Sequence, residues 1–277
     1  MKEWLLGKNT AYETTYNPKL LTPIPRQLTR DDIGITLPLP FKGIDIWNAW
    51  ELSWLNNQGM PQVASARFQY SAESTHLIES KSFKLYLNSF NQSQFDSKES
   101  VSDVLINDLS QIINSPVDVT LYSAKEEWPG VEEGTGQCLD SLDISIDSYK
   151  LTPDYLQKAA NLNKEPITEQ LYSHLFKSNC MVTGQPDWAS VFISYTGRPI
   201  DHELLLKYLI SFRDHQAFHE PCVERIFVDL MHYCKPKELS VYCRYTRRGG
   251  LDINPFRSTN KSSTNDLEPS NQRIWRQ

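Results

Sequence analysis

Cys180 is the residue from which covalent chemistry can start. It stands in Ser178-Asn179-Cys180-Met181-Val182-Thr183-Gly184-Gln185-Pro186-Asp187-Trp188, with a carboxylate seven residues on. Gly184 and Pro186 turn the chain back, so Cys180 and Asp187 are expected to meet. A thiol beside a proton donor suits attack on an electrophilic carbon. A lone cysteine is more commonly a small buried hydrophobe, but the polar, turn-forming flanks argue against that here.

Three other runs carry candidates. Glu79-Ser80-Lys81 opens a helical pattern, where Ser80 is expected to cap the helix and the free amides beside Lys81 suit a phosphate. Taken alone, the tripeptide is better read as an ordinary capped helix with a solvated charged face. In Phe218-His219-Glu220-Pro221, a buried Glu220 would accept two hydrogens from an amidine-like edge such as that of guanine, and His219 would donate a proton near neutral pH. A loop histidine beside a glutamate that favours the helix dipole fits that spacing equally well. Arg244-Tyr245-Thr246-Arg247-Arg248-Gly249-Gly250 ends the last long strand pattern. Its glycines let backbone approach a ligand closely and its arginines fork a phosphate; a basic turn closing a sheet is the plain alternative. The sequence has no G-x-G-x-x-G after a strand, no P-loop and no H-E-x-x-H. His215 and His219 are four apart, but their surroundings make no zinc pattern.

These runs need elements to hold them. Residues 1–42 are punctuated by Pro18, Pro23, Pro25, Pro38 and Pro40 and read as an extended N-terminal arm. A first unit over 43–150 is expected to hold strands at Ile44–Leu55, Pro61–Ser71, Val117–Ser123 and Leu142–Tyr149, with helices at Lys81–Phe90 and Ser100–Ile113. Residues 151–277 hold a polar, partly helical connector to about Asn179, then a strand, two helices and a last strand, Leu239–Arg247. The order repeats at residue level. Tyr86-Leu87-Asn88-Ser89-Phe90 matches Tyr208-Leu209-Ile210-Ser211-Phe212 at an offset of 122, and Asn107-Asp108-Leu109 matches Val228-Asp229-Leu230 at 121. The expected fold is α+β, with two units that each carry two helices on one face of an antiparallel four-stranded sheet. Only the first copy has Glu-Ser-Lys and only the second has the cysteine segment, so the working pocket is expected between copies.

Composition narrows the function. The chain has 277 residues, 39% of them hydrophobic, with a formal charge of −6. That charge argues against direct nucleic-acid binding. The five cysteines, Cys138, Cys180, Cys222, Cys234 and Cys243, form no C-x-x-C pair, which disfavours a disulfide framework and a structural metal. Met1–Lys8 lacks the apolar core of a signal peptide, and no run approaches the ~18 apolar residues of a membrane span. A cytoplasmic protein without membrane contact is expected.

Together the motifs resemble the NADPH-dependent 7-cyano-7-deazaguanine reductases, the QueF type, of queuosine biosynthesis. The run Glu79-Ser80-Lys81-Ser82-Phe83-Lys84-Leu85-Tyr86 is similar to that family's diagnostic run at all eight places. Cys180 to Asp187, Phe218-His219-Glu220 and Arg247-Arg248-Gly249-Gly250 match as well, so the resemblance spans roughly 43–257. Glu-Ser-Lys and the cysteine stand in different repeats, as in the family's long branch. The resemblance implies tandem tunnelling-fold units and a homodimer, with no metal. It also implies a four-electron reduction of the nitrile to the primary amine with two NADPH. By resemblance Cys180 is the nucleophile, Asp187 the general acid and His219 a helper in a later proton transfer. Glu220 and His219, with Ile78, Glu79 and Ser80, would contact the deazaguanine; Ser80, Lys81, Arg248 and Gly249 would contact NADPH, with Arg247 an addition. Asp201-His202-Glu203 departs from the motif and is not expected to bind cofactor. Addition needs the thiolate, so Cys180 is expected to ionise below an ordinary thiol. The residues taken without the resemblance also admit a Cys-His-Asp hydrolase of nitriles or amides, or a non-catalytic purine or pterin binder.

Overall fold

The computed structural model describes residues 12–123, 131–132, 134–161, 163–260 and 273–277; Met1–Lys8 and most of the tail after Ser258 lie outside them. The architecture is mixed α+β. One unit comprises Met1–Asp32, Asp45–Trp128 and Arg247–Asp252; the other comprises Ile33–Ile44, Pro129–Thr246 and Ile253–Gln277. Residues 129–150 thus belong to the second unit.

In the first unit, a 3₁₀ turn (Pro18–Leu20) leads to β1 (Pro23–Pro25) and helix α1 (Arg26–Asp31). β2 (Lys42–Leu55) and β3 (Pro61–Ser71) flank a turn in which Asn56 N–H donates to the Met60 carbonyl at 3.0 Å. Then come β4 (His76–Ile78), α2 (Ser80–Asn88), α3 (Lys98–Ile113) and β5 (Val117–Ser123). Among the described residues the main sheet here runs β5-β3-β2, with β5 antiparallel to β3 and α3 packed on β5. β1 pairs with β4. α3 begins with a reciprocal capping box, Ser97 with Ser100, and stops at left-handed Asn114. Trp47, Phe68, Phe83, Tyr86 and Phe90 fill the core between sheet and helices.

The second unit contains β6 (Val131–Glu132), β7 (Gln137–Cys138), a 3₁₀ helix (Pro153–Lys158), β8 (Ile167–Asn179), β9 (Pro186–Gly197), α4 (His202–Ile210) and a 3₁₀ turn (Ser211–Asp214). α5 (His219–Tyr233), β10 (Glu238–Tyr245), β11 (Leu251–Ser258) and β12 (Arg273–Ile274) complete it. Its strand order is β11-β10-β9-β8-β7, and β8 to β11 are antiparallel neighbours. α5 packs on β10. β7 joins β8, and β12 joins β6, in parallel.

Local arrangements recur in the two units. Tyr86 Oη donates to Asp108 Oδ2 at 2.7 Å, and Tyr208 Oη to Asp229 Oδ2 at 2.7 Å. Ser89 and Ser211 each donate from Oγ at 2.6 Å to the carbonyl of that tyrosine. Each tyrosine meets Phe90 or Phe212 edge-on at 5.2 and 5.4 Å. Each unit is also strapped by the chain that precedes its sheet. Asn17 N–H donates to Ser89 Oγ, and Thr152 N–H to Ser211 Oγ, both at 3.1 Å. Gln92 N–H reaches the Thr14 carbonyl, and Asp214 N–H the Tyr149 carbonyl. Glu79 N–H reaches the Thr22 carbonyl at 2.9 Å, and Asp201 N–H the Ala159 carbonyl at 2.7 Å. The N-terminal arm and the segment 149–159 therefore do the same work in their own units.

Several expected elements differ. Leu142–Tyr149 forms no strand; its alternation reflects half-burial of every second residue. The connector up to Asn179 contains the 13-residue strand β8. A register shift between Ser173 and Phe176 breaks its period of two, which hides it in the sequence. The strand ending at Arg247 stops at Tyr245 and turns into β11, all eight residues of which are buried. Asp252, Asn254, Pro255 and Arg257 make β11 look like a loop, yet Arg257 is paired with Glu224 at 2.9 Å. The arm contains helix α1, whose Arg26 forms a buried ion pair with Asp45. No described helix is long and apolar enough to cross a membrane.

Candidate active site

The β8–β9 hairpin brings the cysteine segment together. Ser178 lies opposite Asp187 and Asn179 opposite Pro186. Beyond them Cys180 N–H donates to the Gln185 carbonyl at 2.8 Å, and Gly184 closes the tip with φ +68. Opposed strand residues share a face and alternate residues return to it, so Ser178, Cys180 and Asp187 lie on one side. Cys180 is 5% exposed and Asp187 6%. The neighbouring Met181, Thr183, Gly184 and Gln185 are exposed, so the thiol is buried within an otherwise exposed hairpin tip.

The hairpin end is tied to the loop that enters α5. Asn179 N–H donates to the His215 carbonyl at 2.8 Å, its side-chain amide to the Arg213 carbonyl at 2.8 Å, and its carbonyl accepts from Ala217 N–H at 3.1 Å. His219 and Glu220 follow in the first turn of α5. His219 Nε2 lies 3.7 Å from Asp187 Oδ1, beyond hydrogen-bond distance. The imidazole meets the Tyr245 ring edge-on at 4.0 Å. Glu220 is buried, and its charge complements the helix N-terminus.

Cys222 lies one turn further along α5. Burial, with the nearby Asp187 and Glu220 charges, pushes this thiol up to about 12, and the neighbouring Ser178 and Tyr245 oppose this less strongly. Burial pushes Cys234 up to about 12 and Cys243 well above the ordinary thiol range. These three should remain protonated and resist alkylation of the native protein at mildly alkaline pH. Peptide mapping after iodoacetamide should find label on Cys180 and the part-exposed Cys138 alone; early label on Cys222 would contradict this environment.

The other predicted motif residues gather in the first unit. Ile78 ends β4 opposite Pro23 of β1. Glu79, not Ser80, caps α2: its carboxylate accepts Lys81 N–H at 3.0 Å and Ser82 N–H at 2.7 Å. Its extended backbone and longer side chain let one carboxylate serve two amides, leaving Ser80 as the first helical residue. Ser82 Oγ donates to the Glu79 carbonyl at 2.7 Å and accepts Thr22 N–H at 3.1 Å, so the arm fixes this corner. Ser80 and Lys81 are part-exposed.

Burial raises the Glu79 carboxyl above its ordinary value; the two amides and then Lys84 and Lys81 oppose this less strongly. A raised folded-state value means that the folded state favours the protonated form. Stability is thus fullest below the ordinary value of 4.5 and is lost as pH rises through the folded-state value. Glu79→Gln should remove this slope, so the variant should gain stability relative to wild type between about pH 4 and about pH 7. Denaturant midpoints at the two pH values check it; parallel changes in both proteins would refute it.

The turn Arg247–Gly250 belongs to the same unit as α2. Gly249 and Gly250 have φ of +61 and +69. A Cβ on Gly249 would lie 3.4 Å from Lys84 Cδ, so the turn lies against α2. A Cβ on Gly250 would come within 2.4 Å of Glu51 Cδ, the movable end of an exposed side chain, but the φ of +69 would strain any other residue there. Arg248 N–H donates to the Leu251 carbonyl at 2.9 Å. Ser80, Lys81, Arg248 and Gly249 are thus held on neighbouring pieces of one unit. A cationic turn with bare backbone beside a helix N-terminus suits the phosphates of a dinucleotide. Among the described residues no group of three His, Cys, Asp or Glu side chains could hold a metal ion.

Sequence reasoning missed Ser178, Tyr245 and Thr22. Ser178 and Tyr245 were findable by strand alternation, since Ser178 precedes Cys180 by two residues and Tyr245 precedes Arg247 by two. Thr22 carried no signal, because it acts through its backbone.

Residues 12–121 match the family model described as nitrile reductase, 7-cyano-7-deazaguanine-reductase N-term, and residues 186–264 match the QueF-like protein model. Among curated proteins, the NADPH-dependent 7-cyano-7-deazaguanine reductase of Hydrogenovibrio crunogenus is 54% identical, over 92% of this chain and 91% of its own. The enzymes of that name from Burkholderia orbicola and Coxiella burnetii are 55% and 52% identical, each over 98% of this chain and over 98% and 96% of their own. A solved structure, the apo form of the archaeosine synthase QueF-Like, aligns with 36% of this chain and 99% of its own at 16% identity and a TM-score of 0.31. Identity above one half, sustained along nearly the whole chain, means that it belongs to the NADPH-dependent 7-cyano-7-deazaguanine reductase family.

Proposed function

We propose that this chain reduces the nitrile of 7-cyano-7-deazaguanine to the primary amine with two NADPH, supplying the 7-deazaguanine intermediate of queuosine tRNA modification. The observation that carries the reading is the hairpin thiol Cys180 with Asp187 on the same face of the hairpin and His219 3.7 Å from that carboxylate. A nitrile carbon is a weak electrophile toward hydride. Addition of the Cys180 sulfur forms a C–S bond, opens one π bond and places a proton on nitrogen, which Asp187 supplies. The thioimide so formed accepts hydride at carbon more readily than the nitrile does. NADPH supplies that hydride and a second one. Between them the C–S bond breaks, the thiolate leaves and an imine remains. The sum is one nitrile, two NADPH and two protons to one amine and two NADP⁺. His219, beside Asp187, restores a proton to this pair between steps.

The ring is assigned to carboxylates. Glu220 and Glu79 accept the paired N–H donors of the guanine-like edge, with His219 and the backbone at Ile78 and Ser80 completing the contacts. Ser80, Lys81, Arg248 and Gly249 hold NADPH. The same proposal includes the tandem tunnelling fold, with the unit division expected near residues 43 and 151, a homodimer and a cytoplasmic location. The recurring tyrosine–aspartate bonds and straps support the duplication. Absorbance at 340 nm tests the activity: NADPH should be consumed only with the nitrile present, two per nitrile, and the product should be the amine. An acid product, or nitrile-independent oxidation, would overturn it.

A further inference from the structure

The basic turn holds Arg247 in a geometry that a general contact with NADPH does not require. We propose that Arg247, held over the ring of Trp50, reads the 2′-phosphate by which NADPH differs from NADH, with Trp50 as its positioning residue; this rests on reading the turn as the NADPH site.

The guanidinium carbon of Arg247 lies 3.9 Å from the centre of the Trp50 ring. Six other cation–π pairs lie between 5.4 and 6.0 Å. The indole beneath it is fixed. Its Nε1–H donates to Asp252 Oδ2 at 2.7 Å, and Asp252, 1% exposed, is itself held by Asn48 Nδ2 at 2.7 Å. Trp50 N–H donates to the Gly250 carbonyl at 2.8 Å, which ties the platform to the turn bearing Arg247.

A guanidinium that lies over a ring gives one face to it, and its N–H donors lie in its own plane. In-plane donors are what bidentate recognition of a phosphate uses. Arg247 is exposed, so a ligand can reach that edge. The 2′-phosphate is a terminal monoester with up to two charges and three acceptor oxygens, whereas each phosphorus of the bridging diphosphate carries one charge. It is therefore the group on the cofactor best matched to an oriented, exposed fork. Lys84, whose chain lies against Gly249, brings a second cation to the same turn. A flexible arginine would supply charge without this geometry, and the Trp50 platform removes the entropy of arranging it.

Equilibrium binding of adenosine 2′,5′-bisphosphate and adenosine 5′-monophosphate to the full-length protein tests this, together with KM for NADPH and for NADH. Wild type should prefer the 2′-phosphorylated nucleotide by about tenfold or more. Arg247→Ala and Trp50→Leu should each reduce that preference several-fold and narrow the KM ratio, while Trp50→Phe, which keeps a ring, should retain most of it. Preference unchanged in Arg247→Ala, or equal weakening of both nucleotides, would overturn the assignment of Arg247. Preference unchanged in Trp50→Leu, or a Trp50→Phe variant no better than Trp50→Leu, would overturn the positioning role. A wild type that oxidises NADPH with the nitrile yet binds both nucleotides alike refutes this inference alone; one that binds neither and oxidises no NADPH refutes the cofactor reading beneath it.

Discussion

The Cys180→Ala protein should bind the nitrile and NADPH yet show no covalent adduct and no amine. Removal of a nucleophile on which every later step depends lowers turnover by roughly 10⁴- to 10⁶-fold. Hydride addition to the free nitrile offers no compensating route, because that carbon is activated only once sulfur is attached. Intact-protein mass spectrometry after incubation with nitrile alone reads the step directly. Wild type should gain the full mass of the nitrile, since addition loses no atom, and the variant should gain none. An adduct of that mass on the alanine protein would assign the nucleophile to another side chain, and Cys138, the part-exposed cysteine, would be the first to map. Cys180 is at a hairpin tip, so its replacement leaves the core of the second unit intact and the loss reports on chemistry rather than unfolding.

Asp187→Asn should give the second largest loss. Asparagine keeps the shape of the protonated acid but cannot deliver its proton to nitrogen. Adduct formation should slow by about 10²- to 10⁴-fold, while nitrile affinity stays within a few-fold of wild type because the ring contact proposed for Glu220 is untouched. Stopped-flow measurement of thioimide formation separates the two quantities. A variant that forms adduct at the wild-type rate would transfer the proton to another donor, and His219, 3.7 Å from Asp187, would be the residue to replace next.

The reach of the sequence differed from element to element for physical reasons. The helices were legible because a buried stripe repeats every turn, as Phe83, Leu87 and Phe90 do, although their ends moved by a few residues. The cysteine hairpin was legible from Gly184 and Pro186. β8 was not, because its bulge shifts the buried set from Leu171 and Ser173 to Phe176 and Ser178. β11 was not, because it buries Asp252, Asn254 and Arg257 against partners far away in sequence, such as Asn48 and Glu224. At the site, residue types pointed to Glu79, Cys180 and Glu220, but their supports act through backbone or through distant chain. Thr22 holds Glu79 by its carbonyl, and Trp50 underlies Arg247 across 197 residues. No local spacing encodes such contacts.

The paired straps bear on ancestry. On the duplication proposed above, whatever both halves possess was present before they were joined, so the single-unit forebear already carried a leader crossing its own first helix. Fusion then left two such corners in one polypeptide. Thr22 kept its glutamate, while the corner under Ala159 received Asp201, still a cap to its helix through Leu204 N–H but free to drift from purine binding. A gene that doubles can specialise in this way because each half arrives with its own brace, and the half that loses a ligand need not lose its shape.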